Sequence, residues 1–404
     1  WIIGAGWVAV SGIRRAREMG LRVVASDADP EAPGFELADD RVLASVYDVE
    51  ATVRAARSLH AQRPIAGVLC IGVDATCTVA AVAEALGLES VSMDVARRTT
   101  DKLAMKERLR ADGIPIPWFA PIQSASELRG HVDLRRLPLV LKPVDSRGSR
   151  GVLRLTPDVD LDWAMAHALS FSERSMLIVE EFIPGPQISS ETVLFDGKAF
   201  TVGLADRNYE KLEAFAPYIL EDGGVLPADL SPEERKGCCR VVEEAARSLG
   251  VTRGIVKGDL VLGPGGVVVI ELAARLSGGG FSTVEIPLST GVDLVGAAIR
   301  LALGEDPDPA DLVPSRSVHV AQRYLFPKPG RIVAIHGADE VAGREGIEHV
   351  QLSVATGDRV RPITDHTGRP GLVIASGSSR DEATRRAERA VADIYVETEE
   401  AVGI

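Results

Sequence analysis

The chain has 404 residues, of which 46% are hydrophobic and 25% charged, and its formal net charge is −13. This length suffices for two or three domains with sizeable buried cores, and the negative balance argues against a general nucleic-acid or anionic-membrane surface. No apolar run is long enough to span a bilayer, and the four cysteines and seven histidines lack disulfide-framework or zinc spacing, which favours a reducing, cytoplasmic compartment.

The N-terminal segment is predicted to alternate strands and helices, beginning with a glycine turn. Residues 4–9 (GAGWVA) fit the G-x-G-x-x-A pattern, and Asp27 ends the second strand about 20 residues later. The pattern is typical of dinucleotide binding, but a tight strand-to-helix turn explains the same glycines. Further strands at 39–44 and 65–71 and helices at 49–62 and 74–86 follow. Together they predict a small, doubly wound parallel sheet ending near Met93.

Residues 72–74 follow the strand at 65–71, at the edge where ligands of such sheets usually lie. Beyond the sheet, a long helix is predicted at 94–111, with Asp94 as its N-cap. This helix carries Lys102, which a solvated helix face would also explain.

A cationic, glycine-bearing turn (DSRGSR) lies between two predicted strands, at 139–143 (LVLKP) and 151–155 (GVLRL). Lys142 lies inside the first of these apolar strands, where a lysine needs an anion or an opening to water. The turn is suited to covering phosphates, although no Walker A pattern occurs in the chain. A further strand at 176–183 (MLIVEEFI) ends in carboxylates and backbone groups that could contact a heterocycle and a ribose.

Two short apolar runs at 255–262 and 267–272 flank the break GPGG, a pattern that predicts a β-hairpin. Opposed side chains of an antiparallel pair share a face, so an odd-numbered loop would place Asp259 opposite Glu271. An even-numbered loop would send the two carboxylates to opposite faces. Opposed carboxylates need a cation, and all-oxygen ligation suits Mg²⁺ carried in with phosphates. The alternative is an ordinary surface hairpin with solvated charges.

The hairpin is followed by an arginine and a glycine turn. Arg275 comes four residues after Glu271, and the glycines at 278–280 leave backbone N–H groups free to approach an anion closely. The C-terminal part is predicted to be a small α+β region. Its strands are predicted at 318–324, 330–335, 349–355 and 371–376, and its helices at 337–343 and 381–397.

Taken in order, the motifs DK, LVLKP, the glycine-bearing turn, VEEFIPG, S-x-E, the Asp–Glu hairpin and the following Arg resemble those of an ATP-grasp enzyme. The resemblance covers nearly the whole chain. It implies a mixed α/β and α+β fold. The implied parts are a Rossmann-like pre-ATP-grasp domain at 1–93, a two-subdomain ATP-grasp core at 94–309 with a lid at about 117–184, and a small α+β C-terminal domain at 310–404.

The resemblance also implies roles for individual residues. Lys102 and Lys142 would hold the α- and β-phosphates of ATP, and the glycine-bearing turn would close over the β/γ end. Glu180 would bind the adenine together with the backbone of its neighbours, and Asp259 and Glu271 would ligate Mg²⁺, or Mn²⁺ in its place. The complete implied nucleotide-binding set is Lys102, Lys142, Ser146, Gly148, Ser149, Gly151, Glu180, Glu181, Phe182, Ile183 and Gln187.

Two positions depart from the family pattern. The acid that usually holds the ribose aligns with Gln187, so ribose binding weakens or falls to Glu181. Ala273 replaces the Asn of E-x-N-x-R, which removes an amide ligand for a second Mg²⁺. A small residue there resembles the carboxylate–amine ligase branch that includes bacterial L-amino acid ligases, in which residues matching Arg275 and Gly278 face the acyl phosphate.

In such enzymes a loop covers the second substrate, and the segment 206–224 lies at the matching place. Candidate contacts within it are Arg207, Tyr209, Lys211 and Tyr218. Exposed loop polarity explains these four residues equally well. The sequence indicates no general base for the amine.

The resemblance implies an ATP-dependent ligase that joins small-molecule carboxylate and amine substrates through an acyl phosphate, with amino acids as substrates and ADP and phosphate as products. It also implies a homodimer. The alternatives are another ATP-grasp chemistry, resembling glycinamide ribonucleotide synthetase, biotin carboxylase or carbamoyl phosphate synthetase, then an NAD(P)-dependent oxidoreductase, and finally an inactive nucleotide-binding regulator.

Overall fold

A computed structural model describes residues 1–135 and 137–399. The chain opens with a four-stranded parallel sheet in the order β3-β2-β1-β4. Its elements are β1 (Ile2–Ile3), α1 (Trp7–Glu18), β2 (Val24–Asp27), β3 (Asp40–Leu43), α2 (Val49–Gln62), β4 (Leu69–Cys70) and α3 (Thr76–Leu86). The strand predicted at 65–71 is shorter than expected, because only Leu69 and Cys70 pair with β1.

The single helix predicted at 94–111 is wrong, because the structure contains two helices there. These are α4 (Met93–Arg98) and α5 (Lys102–Ala111). Ser92, not Asp94, caps the first helix, and the Asp101 side chain accepts a hydrogen bond from the backbone N–H of Ala104 to start the second. The break places Lys102 at the first position of α5.

Residues 119–181 form an antiparallel sheet with two helices, in the strand order β5-β8-β6-β7. Leu141, Leu153 and Val179 are fully buried in its core. The elements are β5 (Phe119–Ile122), α6 (Ala125–Leu134), β6 (Leu139–Pro143), β7 (Leu153–Leu155), α7 (Leu161–Leu169) and β8 (Leu177–Glu181). The cationic turn between β6 and β7 therefore projects from one end of this sheet.

The largest sheet has eight strands in the order β13-β12-β9-β10-β11-β14-β18-β16. Helix α8 packs on it through Val242, Ala245 and Leu249, all fully buried. The elements that precede β14 are β9 (Gln187–Phe195), β10 (Lys198–Asn208), β11 (Gly223–Leu226), α8 (Pro232–Leu249), β12 (Gly254–Gly263), β13 (Gly266–Ala273), a π-helix (Phe281–Glu285), α9 (Ile286–Thr290) and α10 (Leu294–Ala302).

The predicted hairpin is β12–β13, and Asp259 pairs with Glu271 as expected, but by a different route. Gly263 pairs with Gly266, so the loop has an even number of residues. A β-bulge at Ile270 restores the register, because Leu260 pairs with Val269 while Asp259 pairs with Glu271. The bulge, not the loop length, therefore brings the two carboxylates onto one face.

The C-terminal region completes the large sheet and adds a small one, in the order β17-β15-β19. Its elements are β14 (His319–Tyr324), β15 (Gly330–His336), α11 (Ala338–Ala342), β16 (Ile347–Leu352), β17 (Arg359–Val360), β18 (Gly371–Gly377), α12 (Arg380–Asp393) and β19 (Tyr395–Glu399). The final helix predicted at 381–397 is too long. The chain turns into β19 after Asp393, because Val396 packs in a small core with Ile332 and Val360.

Three short 3₁₀-helices, at Pro33–Glu36, Pro309–Leu312 and His366–Gly368, complete the description. Within residues 1–135 and 137–399, the structure contains no helix that is long and apolar enough to cross a membrane.

Candidate active site

A cleft of about 610 Å³ lies between the N-terminal sheet, the β5–β8 sheet, the hairpin and strands of the C-terminal region. Every residue of the predicted site lines it except Gly151. Gly151 has a φ of +72°, and a Cβ there would lie 2.9 Å from Pro143 Cγ. Gly151 therefore closes the turn after β6 through its backbone conformation.

The two predicted phosphate-binding lysines are both buried in the cleft wall. Lys102 Nζ donates a hydrogen bond to the backbone oxygen of Ser146 at 2.6 Å and lies 3.7 Å from Glu271 Oε1. Lys142 Nζ lies 2.7 Å from Glu180 Oε2. Both ammonium groups thus lie beside a carboxylate, and that of Lys102 also contacts the turn that follows β6.

A third lysine, Lys106, was not identified from the sequence. It is 1% exposed, and its Nζ lies 3.4 Å from Glu180 Oε2. Burial lowers the pKa of Lys106 to about 8. Burial raises the pKa of Glu180, but Lys106 and Lys142 lower it by more, so that it lies below its usual value. Glu180, predicted to contact adenine, is here held between two lysines. The i, i+4 spacing of Lys106 from Lys102 could have indicated a shared helix face.

The glycine-bearing turn contacts two other parts of the chain. The backbone N–H of His366 donates to the Gly148 oxygen at 2.9 Å, and Ser149 Oγ lies 3.3 Å from His366 Nε2. The Arg147 guanidinium lies 4.3 Å from the centre of the Tyr47 ring. The turn is therefore held over the cleft by the C-terminal region and the N-terminal sheet.

Asp259 is flanked by cations. Arg207 Nη1 donates to its Oδ1 at 2.8 Å, and Lys257 pairs with its Oδ2. Burial raises the pKa of Asp259, but Arg207 and Lys257 lower it to about 2. Arg207, predicted to contact the second substrate, instead pairs with Asp259 and, at 2.8 Å, with Glu221.

The two opposed carboxylates fit an ion brought in by ATP. Asp259 and Glu271 both line the cleft, and the Glu271 side chain is 35% exposed. Among the residues that the structure describes, no group of three His, Cys, Asp or Glu side chains could hold a metal ion alone. Mg²⁺ commonly takes one or two protein carboxylates and completes its shell with substrate phosphates and water, and this donor set meets that pattern.

Arg275 is fixed by Asp74, a residue missing from the predicted site. Arg275 Nε donates to Asp74 Oδ1 at 2.7 Å, and Nη1 donates to the Leu276 oxygen at 3.1 Å. A Cβ on Gly278 would lie 3.1 Å from the Gly72 oxygen, so the glycine turn packs closely against the N-terminal segment. The sequence placed residues 72–74 at the ligand edge of the first sheet, but it gave no sign of this pairing.

Glu191, in β9, anchors the glycine turn from beneath. This fully buried side chain accepts hydrogen bonds from the Ser277 backbone N–H at 2.7 Å and from Ser282 Oγ at 2.6 Å. Burial raises the pKa of Glu191 above its usual value. The S-x-E motif had indicated this position without revealing its role.

The first glycine turn, at residues 4–6, makes its contacts within the chain. Asp27 Oδ2 accepts the hydrogen bond of the Ala5 backbone N–H at 2.8 Å, and the Trp7 ring stacks on His349 with centroids 5.5 Å apart. Asp27 therefore caps the turn that a dinucleotide phosphate would occupy. Through its contact with His349, Trp7 joins this turn to the C-terminal wall of the cleft.

Two family models match the chain. One describes an ATP-grasp domain and matches residues 99–279, and the other describes L-amino acid ligase C-terminal domain 2 and matches residues 323–399. The first match contains Lys102, Lys142, the hairpin and Arg275. The second contains His366 and strands β15 to β19.

Known proteins resemble the chain along most of its length. It is 27% identical over 393 residues to the uncharacterized protein y4rH of Sinorhizobium fredii, covering 95% of this chain and 79% of that protein. It is 25% identical over 415 residues to a formate-dependent phosphoribosylglycinamide formyltransferase of Synechococcus, covering 98% of this chain and 96% of that enzyme. The crystal structure of an L-amino acid ligase from Bacillus licheniformis superposes with a TM-score of 0.82 at 22% identity, covering 99% and 98% of the two chains.

Proposed function

We propose that this chain joins a carboxylate to an amine through an acyl phosphate, releasing ADP and phosphate. The proposal is supported by the match of residues 99–279 to an ATP-grasp domain and of residues 323–399 to L-amino acid ligase C-terminal domain 2. Amino acids are the proposed substrates. Residues 1–93 would supply loops around the amine, residues 94–309 the nucleotide cleft, and residues 310–404 its remaining wall.

The observation that carries this proposal is that one cleft holds groups suited to each stage of the reaction. Lys102 and Lys142 lie at the lid side, Asp259 and Glu271 at the hairpin, and Arg275 beside the glycine turn. A cleft that only stored a nucleotide would not need an arginine fixed beside a glycine turn.

The chemistry follows from the weakness of a carboxylate as an electrophile. Phosphorylation by ATP converts it into an acyl phosphate, whose phosphate an amine can displace. Phosphoryl transfer needs positioning and charge neutralisation, which Lys102 and Lys142 would provide at the phosphates. When bound by Asp259 and Glu271, Mg²⁺ supplies further neutralisation of the phosphate oxygens.

Arg275 would stabilise the carboxyl oxygens and the charge that develops during amine attack. Its guanidinium is held by Asp74 on one side and by the Leu276 oxygen on the other. A donor that is fixed before the reaction needs no reorganisation when negative charge forms on the substrate.

The test is to measure ADP release with Mg-ATP and a panel of amino acids, supplied singly and in pairs. The control is the double variant Asp259→Asn/Glu271→Gln, which should lose ADP release. Release that requires a particular amino acid or pair would support the ligase and identify its substrates. A protein that binds ATP but releases no ADP with any combination would contradict the proposal.

Formate with phosphoribosylglycinamide is a second candidate pair, favoured by the 25% identity to a formyltransferase over nearly the full length of both chains. The structure weighs against it, because Asp27 already occupies the Ala5 backbone N–H at the first glycine turn, where a phosphate could bind. The panel should therefore include this pair, and bicarbonate as a third carboxyl donor. Activity with either in place of amino acids would favour the alternative.

A further inference from the structure

Glu285 is a buried carboxyl group in the cleft that the proposed reaction has not used. It is 3% exposed and lines the cleft at the end of the π-helix Phe281–Glu285. Across residues 1–135 and 137–399, no group donates a hydrogen bond to its carboxyl oxygens and no cation pairs with them. A buried carboxyl group without a partner is costly, so this position indicates a ligand that supplies one.

The π-helix places Glu285 in the same cleft as the proposed acyl site. The backbone N–H of Glu285 donates to the Gly280 oxygen at 3.0 Å, so the residue is tied to the glycine turn. Glu191 holds the residue before the glycine turn and the start of the π-helix through Ser277 and Ser282. Single π-helical turns are uncommon and frequently occur at functional sites. Glu285 therefore has a defined place relative to Arg275.

The surroundings of Glu285 favour a cationic ligand. The charged group that influences it is Glu221, and burial together with Glu221 raises the pKa of Glu285 to about 8. The cations beside Glu221 are already engaged with it, since Arg207 pairs with Glu221 at 2.8 Å and Arg369 lies 3.7 Å from the same carboxylate. Glu285 itself has no cation beside it, so an ammonium group would supply the partner that it lacks, whereas a carboxylate or phosphate would not.

Aromatic groups border the same place. A Cβ on Gly279 would lie 2.8 Å from the Tyr324 hydroxyl, and a Cβ on Gly280 would lie 3.6 Å from the Trp7 ring. The glycine turn, Tyr324 and Trp7 thus form one wall of the cleft next to Glu285. Such a wall suits the carbon skeleton of a primary amine whose ammonium group reaches Glu285.

We propose that Glu285 binds the ammonium group of the amine substrate and takes one of its protons before the nitrogen attacks. This inference rests on the proposed ligase reaction. The ammonium group gives its first proton to the Glu285 carboxylate and becomes a neutral amine. The nitrogen then attacks the acyl carbon, the carbon–nitrogen bond forms, and the carbon–oxygen bond to phosphate breaks. The second proton leaves with the phosphate, and Glu285 later returns its proton to solvent.

The raised proton affinity of Glu285 suits this role. A carboxylate with an ordinary pKa of about 4 would accept a proton from an ammonium group only at a large energetic cost. Proton transfer is most effective when the acceptor's pKa lies near the working pH. The amine substrate is therefore of the class that is protonated in solution, such as an α-amino acid.

The experiment compares two nucleophiles in one variant. Glu285→Gln keeps the shape of the side chain but cannot accept the proton. Hydroxylamine is neutral at neutral pH and needs no proton acceptor, so it reports formation of the activated carboxyl group directly, as a hydroxamate. The amino-acid pair that gives the most ADP release with the wild-type protein supplies the carboxylate and the protonated amine.

We expect Glu285→Gln to lower amide formation with the amino acid about 100-fold at neutral pH, while hydroxamate formation changes less than about twofold. Amide formation by the variant should recover as the pH rises and the free amine becomes abundant. Glu285→Asp should restore part of the rate. Glu348→Gln, at an exposed residue of β16, is the matched control and should leave both products unchanged.

The outcomes separate this inference from the proposed function. If the wild-type protein makes neither hydroxamate nor amide with any carboxylate, the ligase proposal fails. If the wild-type protein makes both, and a folded Glu285→Gln protein lowers both equally or neither, only the role of Glu285 is overturned. A variant that fails to fold would lower both products, and Glu285→Asp would then decide whether a carboxyl group is needed at this position.

Discussion

At the scale of single residues, the protein buries several ionisable groups in the cleft or directly behind its wall. Lys106, Glu180 and Glu285 are each at most 3% exposed. Buried charges are tolerated when they are paired, and Lys106 and Glu180 meet that condition. Glu285 does not, so its cost should be measurable as a dependence of stability on pH.

Glu285 should make the unliganded protein less stable as the pH rises. Its pKa in the folded chain is about 8, above the value of about 4 in an unfolded chain. The folded state therefore binds more protons between these values, and its stability falls as the pH rises through this window. Glu285→Gln should remove this dependence and raise the free energy of unfolding at pH 8 by a few kcal/mol. Urea unfolding of both proteins at pH 5 and pH 8 is the measurement, and a parallel response of the two would contradict the prediction.

Arg275 should matter for turnover more than for nucleotide binding. Replacing it with alanine removes a fixed cation that would face the reacting carboxyl group. We expect Arg275→Ala to lower kcat at least about 100-fold, with the Kd for ATP changed much less. Steady-state kinetics and ATP titration by calorimetry check the two parts, and unchanged turnover would count against the assigned role.

At the scale of secondary structure elements, the glycine-bearing turn is held closed by a histidine from the C-terminal region. His366 contacts Gly148 and Ser149, and burial lowers the pKa of His366 well below its usual value, so the ring is neutral. His366→Ala keeps the backbone hydrogen bond to Gly148 but removes the side-chain contact with Ser149, so the turn should open more often. We expect faster trypsin cleavage after Arg147 or Arg150, slowed again by Mg-ATP, as followed by mass spectrometry.

The matched control for this experiment is His336→Ala, since His336 lies on β15 and pairs with Glu397. It should leave cleavage of the turn at the wild-type rate. If both variants are cleaved equally, the contact with His366 does not hold the turn.

Much of the order of helices and strands could be predicted from the sequence, because the spacing of apolar residues and the residues that form turns can be read from short stretches of the chain. The ATP-grasp assignment is confirmed for residues 99–279, and the resemblance to L-amino acid ligases is confirmed for residues 323–399. The break between α4 and α5 also has a local signal, because Asp101 caps the start of α5, but the sequence analysis did not identify that cap. The bulge at Ile270 was not predictable, because it depends on pairing with β12 and on the two-residue loop.

The site was predicted where a motif marks it and missed where only packing does. Lys102, Lys142 and Asp259 lie in short patterns that can be recognised along the chain. Asp74 is 201 residues from its partner Arg275. Glu285 differs from an exposed helical glutamate only by its burial, which the sequence does not report.

At the scale of the whole molecule, the Asp74–Arg275 pair joins the N-terminal sheet to the hairpin region. A parallel bridge between Ile71 and Leu276 lies beside it. Asp74→Asn should leave Arg275 in place but less firmly oriented. We expect kcat to fall about tenfold with little change in the Kd for ATP. Asp94→Asn, at an exposed helix start, is the control, and a loss confined to thermal stability would contradict a positioning role.

The eight-stranded sheet has a consequence for engineering. Strand β11 is hydrogen-bonded to β14 along Gly223–Leu226, so the C-terminal strands cover what would otherwise be an open edge. A fragment that ends before β14 would expose that edge to pairing with other chains and should aggregate. Chimaeras that exchange substrate preference between relatives should therefore take β14, β16, β18 and the hairpin from the same parent protein.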